Sequence, residues 1–232
     1  MSNIATIAEH LEKVRARINQ AAQNAQRNPS DIRLLAVSKT KPASDIEAAY
    51  ESQQRAFGEN YVQEGADKVA QLSALNDIEW HFIGPLQSNK TRIVAESFDW
   101  VQSIDRLKIA RRLNEQRPPE SEPLQVLIQV NIDDESSKSG VKAEDVLQFA
   151  NDMREFKSLN LRGLMAIPKA NPSEQEQERT LSSLHKLFEE LKQHFPQVDT
   201  LSVGMSSDLE AAILHGSTMV RVGTDIFGAR NS

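Results

Sequence analysis

A lysine that directly follows an apolar, strand-like segment is the first residue in the sequence that could do chemistry. Residues 34–37 read LLAV, and Ser38 and Lys39 follow them before a second lysine and Pro42. A lysine at a strand end usually extends its charged head into water. If this strand end is a binding site, lost hydration lowers the pKa of Lys39 from about 10.4 toward roughly 7 to 8, where a neutral amine can attack an aldehyde. The position therefore favours Schiff-base formation with a phosphorylated aldehyde, and a solvated lysine is the alternative.

Two segments near the end of the sequence have residues suited to the phosphate of such an aldehyde. The segment GMSSDLE places Ser206 and Ser207 at the start of a predicted helix. Free backbone N–H groups and the positive end of the helix dipole favour an anion there. The segment VRVGT places Gly223, which lets the backbone approach a ligand closely, beside the hydroxyl of Thr224. The simpler alternatives are that Ser207 caps its helix and that Gly223 turns a corner.

Arg221 and Asn60 are two further polar residues at predicted strand ends. Arg221 precedes Gly223 by two positions, so both lie on one face of the strand. It can bond a phosphate or lie against a pyridine nitrogen, where its permanent charge would keep that nitrogen unprotonated; a surface ion pair is the alternative. Asn60 suits either a ring hydroxyl or the N-cap of the next helix. His81 and Met165 are predicted to pack in the core.

Eight strand-like segments, alternating with helix-like ones, would position these residues. They read LLAVSK, RAFGEN, EWHFIGP, DWVQSID, LQVLIQVN, LRGLMAIP, TLSVGMS and MVRVGT. An amphipathic helix precedes them, with a stripe formed by Ile4, Ile7, Leu11, Val14 and Ile18. This α/β alternation predicts a (β/α)8 barrel, whose strand ends meet at one mouth, and a doubly wound open sheet is the runner-up.

Three helix starts and one helix end are predicted from short patterns. Capping-box spacing occurs three times, at Ser44 with Glu47, Ser173 with Glu176, and Ser207 with Glu210. The clearest internal helix follows Ser173. Gly216 suits the C-terminus of the last helix before the final strand.

Composition excludes several classes of function. The sequence has 232 residues, a net charge of -6 and no cysteine. The negative charge disfavours nucleic acid or an acidic membrane as a partner, and the absence of cysteine excludes disulfides and thiolate catalysis. The histidines show no metal-ligand spacing. No linker, leader-like segment or membrane-length apolar run is visible, so we expect one domain, residues 1–232, in the cytoplasm.

The segments around these residues resemble those of the pyridoxal phosphate homeostasis protein family, also called the YggS/PROSC family. The matching segments include LLAVSKTKP, FGENYVQE, EWHFIGPLQSNK, VNIDDESSKSG, GLMAIP, LSVGMSSDLEAAI and STMVRVGTDIFGAR. The resemblance implies a single (β/α)8 barrel preceded by a helix and similar to the N-terminal domain of alanine racemase (fold type III). It also implies pyridoxal 5'-phosphate (PLP) as cofactor, held as a Schiff base by Lys39. By position, Ser206, Gly223 and Thr224 meet the phosphate, Asn60 meets the ring edge and Arg221 faces the ring nitrogen.

The resemblance further implies a role in vitamin B6 homeostasis and amino-acid balance without a robust catalytic activity, with transient contact to PLP-dependent apoenzymes. A PLP-dependent racemase is the alternative, with Lys39 as one base and Tyr61 as the second. Racemases of similar fold take their tyrosine from a further domain of the partner subunit, and only IFGARNS follows the eighth strand here. A cofactor-free aldolase would leave Arg221 without a clear role. We expect a monomer, because no long apolar stripe is left after the barrel helices are assigned.

Overall fold

Eight parallel strands close into a barrel in the computed structural model, which describes residues 3–136 and 138–229. In chain order the strands are β1 (Arg33–Val37), β2 (Ala56–Glu59), β3 (Glu79–Phe82), β4 (Trp100–Ile104), β5 (Leu124–Asn131), β6 (Val141–Lys142), β7 (Leu159–Met165), β8 (Thr200–Ser202) and β9 (Met219–Val222). Strand β9 pairs with β1, and β4 pairs with β5, so the sheet has no open edge there. The predicted barrel is confirmed, and the open sheet is wrong.

The ninth strand, β6, was not predicted from the sequence. It has two residues and pairs only with the carboxyl end of β5, through Val130 with Val141 and Asn131 with Lys142. The segment before it is polar and lacks the alternating pattern of a half-buried strand. Because β6 extends the rim and takes no part in closing the barrel, the count of eight barrel strands is unaffected.

Helices separate successive barrel strands and cover the outside of the barrel. They are α1 (Asn3–Asn24), α2 (Ala43–Glu51), α3 (Val62–Gln71), α4 (Thr91–Ser97), α5 (Leu107–Gln116), α6 (Val146–Asp152), α7 (Glu174–His194), α8 (Leu209–Leu214) and α9 (Thr224–Phe227). Helix α1 precedes the first strand, as predicted, and packs against α2, α8 and α9. Its stripe is buried from Ile7 to Ile18, whereas Ile4 is exposed. The opening helix therefore joins the first and last parts of the helical layer.

One of the three predicted capping boxes is present. Ser173 accepts a hydrogen bond from the backbone of Glu176, whose side chain accepts one from the Ser173 backbone. Helix α2 instead begins after Pro42, whose fixed φ suits a helix start, and Ser44 lies inside the helix. Helix α8 begins after Asp208, one residue later than predicted from Ser207. The predicted helix end at Gly216 is confirmed, since this residue has a φ of 98° directly after the C-cap of α8.

The inside of the barrel combines apolar and polar side chains. Met165 packs with Trp100 and Leu127 in a buried cluster, as predicted for a core residue. His81 is also fully buried and stacks on the Trp100 ring with 4.8 Å between centroids. Gln102 and Ser202 are buried as well, although barrel interiors are usually filled by branched apolar residues. These polar side chains connect the core to the site, because Gln102 and Ser202 are hydrogen-bonded to each other and Ser202 to Arg221.

The backbone of β7 depends on a glycine where it approaches β8. Gly163 has a φ of 151°, and a Cβ at this position would lie 1.8 Å from the carbonyl oxygen of Thr200. The register between β5 and β7 shifts beside it, between Val126 and Leu127. A larger residue would therefore push β8 away from the barrel. Within the described ranges, no helix has both the length and the apolar character needed to cross a membrane.

Candidate functional site

Five of the six predicted site residues line one cavity at the carboxyl end of the barrel. The cavity has a volume of about 290 Å³, and the predicted residues on its wall are Lys39, Ser206, Arg221, Gly223 and Thr224. They come from the ends of β1, β8 and β9, which are neighbours in the sheet. A lysine, two hydroxyl-bearing residues, an arginine and a glycine therefore line one space, although they are far apart in sequence.

The residues on either side of Lys39 are held by carboxylates. The buried Ser38 hydroxyl donates to Glu59 Oε2 at 3.0 Å, and the backbone N–H of Thr40 donates to Glu64 Oε1 at 2.6 Å. Thr40 has a φ of 65°, in the left-handed region that a β-branched residue rarely adopts. This turn is strained, and the two hydrogen bonds hold it in place. As a result, the direction in which Lys39 leaves the strand is fixed by its neighbours.

A buried lysine joins the two carboxylates beneath this turn. Lys68 Nζ lies 2.7 Å from Glu59 Oε1 and 2.8 Å from Glu64 Oε1, and it donates to the Ser38 carbonyl at 2.8 Å. Burial raises the pKa of Glu59, and the hydrogen bond and charge of Lys68 oppose that rise. We call Ser38, Glu59, Glu64 and Lys68 the lysine-turn cluster. Its one signal in the sequence is the i,i+4 spacing of Glu64 and Lys68, so the cluster is not among the predicted site residues.

The opposite wall of the cavity is built from the loops after β8 and β9. A Cβ on Gly223 would lie 3.2 Å from the Val37 carbonyl oxygen and 3.3 Å from Val37 Cβ, so the close approach of β9 to β1 favours glycine. Thr224 begins α9 directly after it. Ser206 lies in the loop after β8 and lines the same cavity. Because the residues on this wall are small or carry a hydroxyl group, an anion can come close to the backbone there.

Helix α1 fastens these two loops together. Arg17 donates to the Ser206 carbonyl at 2.9 Å and forms ion pairs with Glu210 at 2.8 Å and with Asp225 at 3.0 Å. The ring of His10 contacts the Ile226 carbonyl at 2.9 Å. The loops after both β8 and β9 are therefore anchored to the first helix of the chain.

Arg221 reaches the cavity from inside the barrel. It is buried, and its Nη1 donates to Ser202 Oγ at 2.7 Å while its Nη2 donates to the Ala166 carbonyl at 2.9 Å. Burial lowers its pKa to about 10, against the opposing charge of Asp208, so the guanidinium remains charged at neutral pH. The surface ion pair considered for this residue is wrong. Arg221 is instead a buried cation, held by two hydrogen bonds at the cavity wall.

Asn60 lies in a neighbouring cavity, apart from the other five residues. This second cavity has a volume of about 570 Å³, and its wall includes Asn60, Ser103, Asp105 and Lys138. Asn60 Oδ1 and Ser103 Oγ are buried there with no hydrogen-bond partner among the described residues. The N-cap alternative for Asn60 is wrong, because Tyr61 is the N-cap residue of α3. Asn60 thus faces the adjoining half of the mouth with an unpaired oxygen.

The arrangement can condense an amine with an aldehyde on one side and hold an anion on the other. The aldehyde carbon would meet Lys39, and the anion would meet the wall formed by Ser206, Gly223 and Thr224. Arg221 adds a positive charge that cannot be lost near neutral pH. The site thus has the groups needed to retain a phosphorylated aldehyde.

Comparisons with known proteins show what the whole chain is similar to. The family model described as alanine racemase, N-terminal domain, matches residues 10–231. A protein named pyridoxal phosphate homeostasis protein from Pasteurella multocida is 55% identical over 229 residues, which are 97% of this chain and 98% of the relative. The protein of the same name from Escherichia coli K12 is 55% identical over 227 residues, 97% of each chain.

Solved structures show the same barrel. PipY of Synechococcus elongatus, solved with PLP bound, is 36% identical with a TM-score of 0.82, and the match covers 96% of this chain and 100% of PipY. Alanine racemase from Corynebacterium glutamicum has a TM-score of 0.69 at 16% identity, covering 99% of this chain and 62% of the racemase. The second likeness concerns the fold alone, and it confirms the predicted resemblance to the N-terminal barrel of alanine racemase.

Proposed function

The chain belongs to the pyridoxal phosphate homeostasis protein family, and from this premise we propose that it binds PLP as a Schiff base with Lys39. We further propose that it acts in vitamin B6 homeostasis and amino-acid balance as a carrier or regulator without a robust catalytic activity. The observation that carries the proposal is the single cavity shared by the lysine amine and the anion-facing loops. PLP has both of the groups that this cavity suits, an aldehyde and a phosphate.

The residues present fit this cofactor. Lys39 supplies the primary amine, Ser206 and Thr224 supply hydroxyl donors, and Gly223 leaves room for a phosphate close to the backbone. In the adjoining cavity, the unpaired oxygen of Asn60 suits the hydroxyl on the ring edge. These roles follow the order in which the family resemblance assigns them, and each of them is a proposal for this chain.

Arg221 supports storage over catalysis. When bound, PLP supplies an aldehyde that condenses reversibly with an amine, releasing one water, and a pyridine ring that withdraws electrons best when its nitrogen is protonated. A guanidinium with a pKa of about 10 keeps its protons at neutral pH and does not transfer one to the ring nitrogen. We therefore expect Arg221 to weaken electron withdrawal, so that the site retains the cofactor without strongly activating an amino acid.

A racemase remains the alternative that one side chain could support. Tyr61 is 51% exposed at the start of α3, next to Asn60 at the mouth. Tyr50 hydrogen-bonds to Asp77 on the outside of the barrel, so it is remote from this role. If the chain is a racemase, purified protein will interconvert amino-acid enantiomers and exchange their α-hydrogen with deuterated solvent, and Tyr61→Phe will abolish the interconversion. Our proposal predicts no robust exchange in either protein.

We also propose that the chain acts as a monomer that hands PLP to apoenzymes by transient contact. The support for a monomer is the sequence expectation, because no long apolar stripe is left after the barrel helices are assigned. Sedimentation measurements with and without PLP test the monomer. Transfer is tested by mixing the loaded protein with a PLP-dependent apoenzyme and measuring how fast enzyme activity appears relative to free PLP.

The decisive experiment uses the lysines that line the cavity. Purified protein is loaded with PLP, its absorbance is recorded, and the adduct is reduced with borohydride and located by peptide mapping. We expect the label on Lys39 and the loss of the absorbance band in Lys39→Ala. Lys41 lines the same cavity and donates to the Ala229 carbonyl, so Lys41→Ala is the matched control and should keep the band. A label on another lysine, or no adduct at all, would refute the proposal.

A further inference from the structure

A continuous chain of polar side chains crosses the inside of the barrel, starting at Arg221. Its Nη1 donates to Ser202 Oγ at 2.7 Å, and Ser202 Oγ lies 2.6 Å from Gln102 Oε1. Gln102 Nε2 lies 2.9 Å from His81 Nδ1, and His81 Nε2 lies 2.6 Å from Glu79 Oε1. Glu79 begins β3, so the chain ends at the amino end of the barrel, opposite the cavity.

The two ends of this chain and the orientation of the Gln102 amide determine the direction of every hydrogen bond in it. An arginine can only donate and an ionised carboxylate can only accept. His81 Nε2 must therefore carry the hydrogen that it shares with Glu79, which leaves Nδ1 of a neutral ring to accept from Gln102. The Gln102 oxygen then accepts from the Ser202 hydroxyl, and Ser202 accepts from Arg221. All four bonds point from the cavity toward Glu79.

The surroundings of His81 favour the neutral ring that this direction needs. The ring is fully buried between the layers of the barrel, and burial lowers its pKa. Glu79 opposes that shift, whereas the charges of Arg33 and Arg162 reinforce it. Glu79 is itself paired with Arg33 at 2.7 Å. Burial alone would raise the pKa of Glu79, but the hydrogen bond from His81 and the charge and hydrogen bond of Arg33 lower it.

We propose that Ser202, Gln102 and His81 are positioning residues that fix the guanidinium of Arg221 for the bound cofactor. This inference rests on the proposed function, because the guanidinium matters most if a ligand occupies the cavity. Arg221 is bonded by Ser202 and the Ala166 carbonyl, two neutral acceptors, and a guanidinium has five N–H groups. The one-way chain keeps Ser202 as an acceptor toward Arg221, so the plane of the guanidinium cannot turn without leaving buried groups unpaired.

The cost of a polar barrel interior supports a role beyond packing. Buried polar groups destabilise a core unless each has a partner, and partly satisfied networks are worse than apolar packing. Apolar side chains would fill the same volume at positions 81, 102 and 202 without that requirement. The three residues instead form an ordered line that reaches the cavity wall, and they come from β3, β4 and β8.

Ser202→Ala is the test variant, and Ser217→Ala is its matched control. Both serines are fully buried, but Ser217 donates to the Val203 carbonyl at 2.6 Å and lies outside the chain. Borohydride trapping should label Lys39 in both variants. In Ser202→Ala we expect PLP affinity to fall about ten-fold or more, as for loss of a hydrogen bond to a charged group. We also expect the pH profile of the absorbance of bound PLP to shift away from the profile shared by the wild type and Ser217→Ala.

A second variant covers the case in which Ser202→Ala folds poorly. Gln102→Met has a similar volume and breaks the chain one step farther from Arg221, so it should change the spectrum in the same direction. If both chain variants bind PLP with the affinity and pH profile of Ser217→Ala, the positioning role is refuted. If the wild type itself gives no adduct at Lys39, the proposed function fails instead.

The chain can also be tested in protein without cofactor. Long-range nitrogen–proton NMR of the histidine rings should show His81 neutral, with its hydrogen on Nε2, and the signal is identified by its loss in His81→Phe. Ser202→Ala should shift the guanidinium signals of Arg221, whereas Ser217→Ala should not. A His81 ring protonated on both nitrogens at neutral pH, or an Arg221 signal indifferent to Ser202, would overturn the inference whatever the cofactor does.

Discussion

Replacing Lys68 with methionine tests the lysine-turn cluster. The variant keeps most of the side-chain volume but removes a charge that lies 2.7 Å from Glu59 Oε1 and 2.8 Å from Glu64 Oε1. The Lys68 side chain is 7% exposed and that of Glu59 is fully buried. Removing one partner of a buried ion pair costs about 3 to 5 kcal/mol, because the other charge is left uncompensated. The partly exposed Glu64 adds about 0 to 1 kcal/mol.

The loss of stability should depend on pH in a defined direction. Burial already raises the pKa of Glu59, and removal of Lys68 raises it further. A carboxyl with a raised pKa in the folded state binds a proton more readily there than in the unfolded chain, so its cost is absent at low pH and grows as pH rises. The deficit of Lys68→Met should therefore be largest at neutral pH and smaller at about pH 5.

Urea unfolding followed by tryptophan fluorescence measures this deficit at both pH values. Lys169→Met is the matched control, since its ion pair with Glu176 has side chains about half exposed, and it should cost less than about 1 kcal/mol. Adding Glu59→Gln to Lys68→Met should recover much of the loss, because no buried charge is then left. A deficit below about 1 kcal/mol for Lys68→Met, or one independent of pH, would refute the reasoning.

Three further predictions concern other parts of the molecule. Gly223→Ala should lower stability by about 1 to 3 kcal/mol and weaken PLP binding, since the added methyl meets the Val37 carbonyl at 3.2 Å; urea unfolding and PLP titration measure the two effects. Burial lowers the pKa of His81, so as pH falls this ring takes up a proton in the unfolded chain before it does in the folded protein. The free energy of unfolding should therefore decrease below about pH 6.5, and it should depend less on pH in His81→Phe. Urea midpoints at a series of pH values measure both. Arg17→Ala should lower the free energy of unfolding by only about 1 kcal/mol, because Arg17 is partly exposed. The variant should still bind PLP more weakly, because it releases the loop of Ser206, and PLP titration with and without added salt measures this effect.

Regular alternation made the architecture predictable, whereas local caps were less so. Near-continuous apolar segments such as LQVLIQVN are typical of parallel strands covered by helices, and β5 has the predicted bounds. Ser173 caps α7 as predicted, because the helix is long and its start is exposed. Ser44 and Ser207 have the same spacing, but Pro42 and the turn around Asp208 decide where α2 and α8 begin. A capping pattern therefore does not determine where a helix begins if neighbouring residues constrain the backbone.

The site was predictable at strand ends and not in the barrel interior. Lys39, Ser206, Gly223 and Thr224 share a cavity because all follow strands whose ends meet, and their role toward PLP stays a prediction. Hydrogen bonds inside the barrel join residues with no local pattern: Ser202 and Gln102 are 100 positions apart. Only the closed sheet brings such residues together, so the segment EWHFIG contains Glu79, the local partner of His81, but gives no sign of Gln102 on the next strand.

The anchoring of α1 affects the order in which the protein can be completed during synthesis. Arg17 and its partner Ser206 are 189 positions apart, and His10 and Ile226 are 216 positions apart. At about 5 to 20 residues per second, the first helix leaves the ribosome roughly 10 to 40 seconds before those partners are made. The loops that Arg17 joins cannot take their final positions in that interval. The cavity proposed to bind PLP is therefore complete only after the residues that follow β9 have been translated.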